Sequence, residues 1–227
     1  MELSDILRSS GAVRRFTDQP VGDDLLHEVL DIARYAPSGG NRQAWRVIVV
    51  RDASLRQRIR DEYLDAWHDY VGHVLAGLVP FSPLATPDER ATARSLRADA
   101  QARSRPDGFA ETLDTVPVML VVCADLGALA ATDRDLARYN IVGGASVYPF
   151  VWNILLAARD RDLGGVMTTV ATRHEDAVRD ILSIPERFAV ASVVALGHPV
   201  SRLTKLARRR VEEFTTVDTF DGPAFGA

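Results

Sequence analysis

The segment Ala36-Pro37-Ser38-Gly39-Gly40-Asn41-Arg42-Gln43-Ala44-Trp45 decides the reading of this 227-residue chain, because it joins two elements of different period. Before it, Leu25, Leu26, Val29, Leu30, Ile32, Ala33 and Ala36 form a broad apolar helical face, with Asp23 or Asp24 placed to cap its start. Pro37 has no N–H to continue a helix, so the helix is expected to end there. After it, Trp45 to Val50 reads as a strand closed by Arg51-Asp52. The glycines between them let backbone approach a planar ligand closely. Taken alone, the segment is only a helix-to-strand loop.

Working outward, Ser54 is placed to cap a helix through Tyr63 and Trp67. Residues 76–112 differ in character: Pro80, Pro83 and Pro87 break the pattern, and Glu89 to Arg105 is Ala/Arg-rich without a strong apolar stripe. This stretch is either a mobile, solvent-facing excursion that covers a site or a surface helical hairpin without a role. Pro117 to Ala124 reads as a buried strand. A long helix begins near Gly143-Gly144 with Pro149 in an early turn, and Gly164-Gly165 is expected to stop it. Val166 to Val170 then reads as a strand. Thr172 and Glu175 have capping-box spacing for a helix to Leu182, and Phe188 to Leu196 is β-rich. The tail from Ser201 carries a basic cluster, Lys205 and Arg208-Arg209-Arg210, and little periodicity. Helices and strands mix without a βαβ rhythm, which favours an α+β layered fold over a doubly wound one, while the length fits one large domain or two small ones.

Apolar residues make up 47% of the chain and charged residues 26%, ordinary values for a folded soluble protein. A formal charge of −4 gives no reason to expect nucleic acid or an anionic membrane as partner. No stretch approaches the roughly 18–20 apolar residues of a membrane span, and the acidic start is unlike a signal peptide, so the expected location is cytoplasmic. The single cysteine, Cys123, lies in an apolar run and is expected to be a packed, inert thiol.

The common catalytic signatures are missing: there is no phosphate loop, no nucleophile elbow and no dinucleotide fingerprint. His68 and His73 are five apart and do not share a helix face, so no metal site is expected. His198, beside Pro199, reads as a turn residue. Three features remain. Arg14-Arg15-Phe16 follows the small residues Ser9 to Ala12, whose backbone N–H groups with an arginine can hold an anion. The Pro37 to Gln43 loop is the second, and the Arg208 to Arg210 cluster the third. Each alone reads as ordinary loop or solvated surface.

Their order is more specific. Ala12-Val13-Arg14-Arg15-Phe16, then Ala36 to Trp45, Gly164-Gly165-Val166-Met167-Thr168-Thr169, Leu196-Gly197-His198-Pro199 and Arg208-Arg209-Arg210-Val211-Glu212-Glu213 together resemble the nitroreductase family of FMN enzymes. The resemblance covers nearly the whole chain apart from the excursion. It implies a single nitroreductase-like α+β domain over 1–227, with a mixed or antiparallel sheet flanked by helices, in an intertwined homodimer. Two FMN sites would lie at the subunit interface, and an arm of about residues 201–227 would embrace the partner.

By the same resemblance, Arg14 would lie near the pyrimidine edge of the flavin, with Ser10, Gly11 and Ala12 beside it. Pro37, Ser38, Gly39 and Asn41 would reach flavin bound mainly by the other subunit. Thr168, Thr169, Val170 and Ala171 would run along the ring, and Arg209 would grip the phosphate. Where the family commonly has Arg-Arg-Ser, this chain has Ser10-Gly11-Ala12, so two phosphate-side or ribityl-side contacts are either lost or supplied otherwise, by Arg8 or by backbone N–H groups. A fixed arginine at the flavin's N1/O2 edge favours the negative charge that reduction places there. No side chain need act as nucleophile.

The implied activity is an FMN-dependent oxidoreductase. It would take hydride from NADH or NADPH and pass it to a small, electron-poor acceptor such as a nitroaromatic, quinone or activated alkene. Tyr148, Trp67 and Phe150 are candidate pocket aromatics or core residues. The alternatives are a flavin-dependent dehydrogenase, oxidase or dehalogenase of a small metabolite, and a non-catalytic flavin carrier or sensor.

Overall fold

A computed structural model describes residues 2–203 and 206–226; Lys205 of the basic cluster lies outside the described residues. Among these described residues seven α-helices and four strands alternate irregularly: α1 (Leu3–Ser9), α2 (Asp23–Ala33), β1 (Trp45–Val50), α3 (Ala53–Leu75), α4 (Pro87–Ser95), α5 (Arg97–Ala102), β2 (Val118–Asp125), α6 (Tyr148–Asp160), β3 (Gly164–Thr168), α7 (Glu175–Leu182) and β4 (Phe188–Gly197). The strands form one antiparallel sheet in the order β1-β2-β4-β3.

Period-two alternation along β2 splits the core between the two faces of this sheet. Met119, Val121 and Cys123 pack with Ile59, Tyr63 and Ala66 of α3 and Val178 and Ile181 of α7. Val118, Leu120, Val122 and Ala124 pack with α2 and α6 through Leu26, Val29, Val151 and Ile154. A strand buried on both sides must be apolar throughout, which is why Val118 to Ala124 shows no polar position. Cys123 is 1% exposed, and burial pushes its thiol up to about 11, as an inert core thiol requires.

Several element boundaries differ from expectation, each for a local reason. Helix α2 ends at Ala33, a turn before Pro37, and Gly22 rather than an aspartate precedes its first residue. Asp52, not Ser54, caps α3 by accepting from Leu55 N. The capping box forms at Thr86 and Glu89, opening α4. It does not form at Thr172 and Glu175: the Thr172 hydroxyl donates to Thr169 O, and Glu175 Oε1 accepts from Val190 N. Asp162, at φ +58°, turns the chain out of α6, so Gly164 and Gly165 open β3 instead of stopping the helix. β3 ends at Thr168, and Val170–His174 is a short 3-10 turn, not strand.

The 76–112 excursion folds as α4 and α5, docked on α3. Arg97 ion pairs with both Asp65 and Asp69 of α3 and holds α5 in place. After β4 the described tail has a 3-10 turn at Val211–Glu213 and a bridge between Thr216 and Ala224. No helix among the described residues is long and apolar enough to cross a membrane.

Candidate functional site

The strand β3 places the site. Its outer edge is open to the segment Ala12–Arg14, which lies along it: Val13 N donates to Gly165 O at 2.9 Å, and Ala12 bridges Gly165. Gly164 makes this approach possible, while Gly165 lets the strand pack closely on β4 and α6. A Cβ at Gly164 would stand 2.7 Å from Val13 Cγ2, and one at Gly165 would stand 2.4 Å from Leu196 Cδ2. The segment is clamped again where Thr17 N donates to His198 O and Val200 N to Arg15 O. His198 therefore lies not in a turn but in backbone that continues past β4 and pairs antiparallel with the basic motif, as the Phe16–Pro199 bridge shows.

Two clefts open from this edge and meet at Arg14 and Met167, which line both. The first, about 200 Å³, runs between Ser10-Gly11-Ala12, Gly164-Gly165 and the α6 side chains Trp152, Leu155 and Arg159. Arg202 closes it from the tail. Arg202 donates to the carbonyls of Leu163 and Asp162, and Arg159 Nε to Ser9 Oγ at 3.1 Å, so both guanidinium groups are fixed in place. These two arginines stand where Ser10-Gly11-Ala12 left the basic motif without cations; Arg8 does not line the cleft. Its described lining holds three arginines and no carboxylate, although Asp162 Oδ1 stands 3.6 Å from Arg159 Nη1 and 3.9 Å from Arg202 Nη2.

The second cleft, about 380 Å³, has an aromatic wall. Trp67 stacks on Tyr70 at 4.8 Å and on Tyr63 at 6.3 Å, and Phe109 meets Tyr63 edge-on. Thr168, Thr169 and Val170 form the facing side. Tyr63 is buried and its hydroxyl pairs with Thr168 Oγ1 at 3.0 Å. Burial raises the Tyr63 phenol above its ordinary value, against the opposing effects of the Thr168 hydrogen bond and the nearby Arg14 charge. The phenol therefore stays neutral and holds the Thr168 side chain. Cations, hydroxyls and open backbone in one cleft and flat aromatic faces in the next fit a phosphorylated planar group such as FMN.

Of the residues expected at the site, Ser10, Gly11, Ala12, Arg14, Trp67, Thr168, Thr169 and Val170 line these clefts. Ala171 does not; it is packed in the core at 1% exposure. Phe150 is a core residue stacked on Trp45 at 4.6 Å. Tyr148 borders a separate groove with Tyr139 and Ile141. Pro37, Ser38, Gly39 and Asn41 line neither cleft of their own protomer. Their loop is nonetheless stiff: Gly39 N donates to Ser146 Oγ, Gln43 N donates to Ser38 Oγ, and Gly40, Asn41 and Gln43 all have positive φ. Arg209 lies exposed in the tail with its guanidinium over the Phe214 ring. Sequence reasoning missed Met167, Trp152, Arg159 and Arg202. Only Met167, inside the quoted Gly164 to Thr169 motif, carried a sequence signal; the others are ordinary helix and tail residues brought in by packing.

Comparison with known proteins bears on this geometry. Nitrobenzene nitroreductase of Ectopseudomonas oleovorans is 28% identical over 222 residues, covering 94% of this chain and 96% of its own. FMN reductase [NAD(P)H] of Bacillus subtilis is 21% identical over 229 residues, covering 96% of this chain and 74% of its own. In structure, a BluB-like flavoprotein from Clostridium difficile 630 superposes with a TM-score of 0.66 at 20% identity, covering 95% of this chain and 98% of that one. The nitroreductase family model matches residues 8–198, from the basic motif to the end of β4. The chain belongs to the nitroreductase family.

Proposed function

We propose that this protein is an FMN-dependent oxidoreductase, reduced by NADH or NADPH, that passes hydride to a small, flat, electron-poor acceptor. A nitroaromatic, a quinone or an activated alkene is the acceptor class. The observation that carries the proposal is the junction at Arg14, where a cation-lined cleft along Gly164-Gly165 meets an aromatic-walled cleft along Thr168 to Val170. The names of the nitrobenzene and FMN reductase relatives support the same chemistry. Bound FMN would supply hydride exchange at its N5.

The chain's own residues would bind and orient. Arg159 and Arg202, fixed by Ser9 and by two carbonyls, favour an anionic end in the first cleft. Arg14 places a positive charge at the junction, and Trp67 and Tyr70 offer flat faces to the acceptor. Reductant and acceptor would use the aromatic cleft in turn.

A homodimer completes the proposed site. The Pro37 to Asn41 loop, which lines neither of these two clefts in its own protomer, would cover the partner's flavin, and Arg209 would grip a phosphate. Exposed apolar side chains in the tail and before α6, including Phe220 (94%), Tyr139 and Ile141, support such an interface. The test is a single turnover under argon: NADPH-reduced protein mixed with nitrobenzene or a quinone should return to the oxidised flavin spectrum. A spectrum left unchanged by nitro, quinone and activated-alkene acceptors alike would contradict the proposal.

A further inference from the structure

A third cleft, about 190 Å³, lies between α3, α4 and the turn Val170–His174. Arg90, Arg94 and Arg173 line it, with His73, Asp69 and Phe81. Packing explains why they converge. A Cβ at Gly72 would stand 2.6 Å from the Ala93 carbonyl oxygen, so α3 and α4 touch backbone to backbone there. Arg90 and Arg94 are one turn apart on the face of α4 that carries Ala93, and are brought to the cleft with it. Arg173 arrives from the chain just beyond Thr168 and Thr169 and lies 4.6 Å over the Phe81 ring. His73, 6% exposed, donates its Nδ1–H to Asp69 O at 2.8 Å.

The charge balance of this cleft is unusual. Among the described residues no carboxylate comes within ion-pair distance of Arg90, Arg94 or Arg173. Asp69, the acid of the cleft, is already paired with Arg97. Three guanidinium groups gathered without a counter-charge repel one another, and an anion with several acceptor oxygens relieves this. A phosphate monoester, carrying about −1.5 to −2 charges, fits that demand better than a carboxylate.

Position gives the phosphate its source. Trp67 and Tyr70 line the aromatic cleft from the same helix that supplies Asp69 and His73 here, and Tyr70 and Phe81 are 6.5 Å apart between the two. His73 is six residues beyond Trp67, on the order of 9 Å along the helix axis. A ligand with a flat end at Trp67 can therefore set a phosphate among the arginines. We propose that this cleft binds the 2′-phosphate that distinguishes NADPH from NADH, making NADPH the preferred reductant. The inference rests on the reductase reading above.

Two measurements test it. In the first, adenosine 2′,5′-bisphosphate is titrated into the purified protein by calorimetry and compared with AMP and inorganic phosphate. The bisphosphate should bind at least tenfold tighter than AMP, and Arg94→Ala and Arg173→Ala should each remove that difference. Equal affinities for bisphosphate and AMP, or inorganic phosphate binding as tightly as the bisphosphate, would overturn the assignment. In the second, flavin reduction is followed with both reductants. The variants should raise KM for NADPH about tenfold and that for NADH less than twofold; parallel changes for both would refute a 2′-phosphate site. Arg94→Lys, which keeps the charge, should restore part of the NADPH preference if Arg94→Ala loses it. Arginine-dependent bisphosphate binding in a protein that neither reductant bleaches would instead sink the reductase reading, and the reductant assignment with it.

Discussion

The seat of the basic motif on β3 can be tested by adding one methyl group. In Gly164→Ala the new Cβ would lie 2.7 Å from Val13 Cγ2, 3.0 Å from Val13 Cβ and 3.1 Å from Val13 Cγ1. Val13 is β-branched and held by its N–H bond to Gly165 O, so it cannot swing aside cheaply. Overpacking of this kind costs about 1–3 kcal/mol. If the segment lifts off the strand, the lost Val13 hydrogen bond adds about 1 kcal/mol. The clash has one partner, so removing it should rescue the change. In a Val13→Ala background only the 3.0 Å approach to Cβ remains, so Gly164→Ala should cost about half as much or less, leaving a coupling of about 1–2 kcal/mol between the two sites. Urea unfolding of the four proteins measures this. Because Arg14 adjoins Val13, Gly164→Ala should also loosen FMN, and the double variant should regain it. Additive effects, with no rescue of stability or of FMN retention, would refute the proposed contact and its role in placing Arg14.

Other consequences follow from single residues. Arg209→Ala should weaken FMN retention in a way that fades as salt rises, whereas Arg14→Ala should leave more flavin bound but shift its reduction potential; dialysis and redox titration separate the two. Cys123, buried and with its thiol raised to about 11, should resist alkylation in native protein and react only after denaturation. His68 should make the fold acid-sensitive. Burial, then the Arg97 charge, lowers its pKa below 6.5, so the unfolded chain binds the proton more tightly. Its contribution is present above pH 6.5 and is lost as pH falls, and His68→Gln should flatten the thermal stability profile between about pH 7 and 5.

Much of the fold was legible because the signals are local. The apolar face of Leu26, Val29 and Ala33, the unbroken β2 run and the Trp45 to Val50 strand each state their burial in their own periodicity. The misplaced boundaries are those where a distant group competes. Glu175 looks like a capping residue, yet its carboxylate is taken by Val190 N from β4. The site was legible where motif and backbone coincide, at Arg14, Gly164-Gly165 and Thr168. It was not legible at Arg159 and Arg202, which are separated from Ser10 by more than a hundred residues and join it only through α6 and the tail. Ala171 failed for a related reason: the strand ends at Thr168, and the 3-10 turn that follows points Ala171 into the core.

The most direct measurement is the visible spectrum of the purified protein under argon, before and after NADPH is added. The expected result is a yellow protein holding one FMN per protomer, bleached on addition of NADPH and restored by an electron-poor acceptor. A colourless protein that takes up no added FMN, or a bound flavin that neither NADPH nor NADH bleaches, would contradict the assignment of the Arg14 junction as an oxidoreductase site.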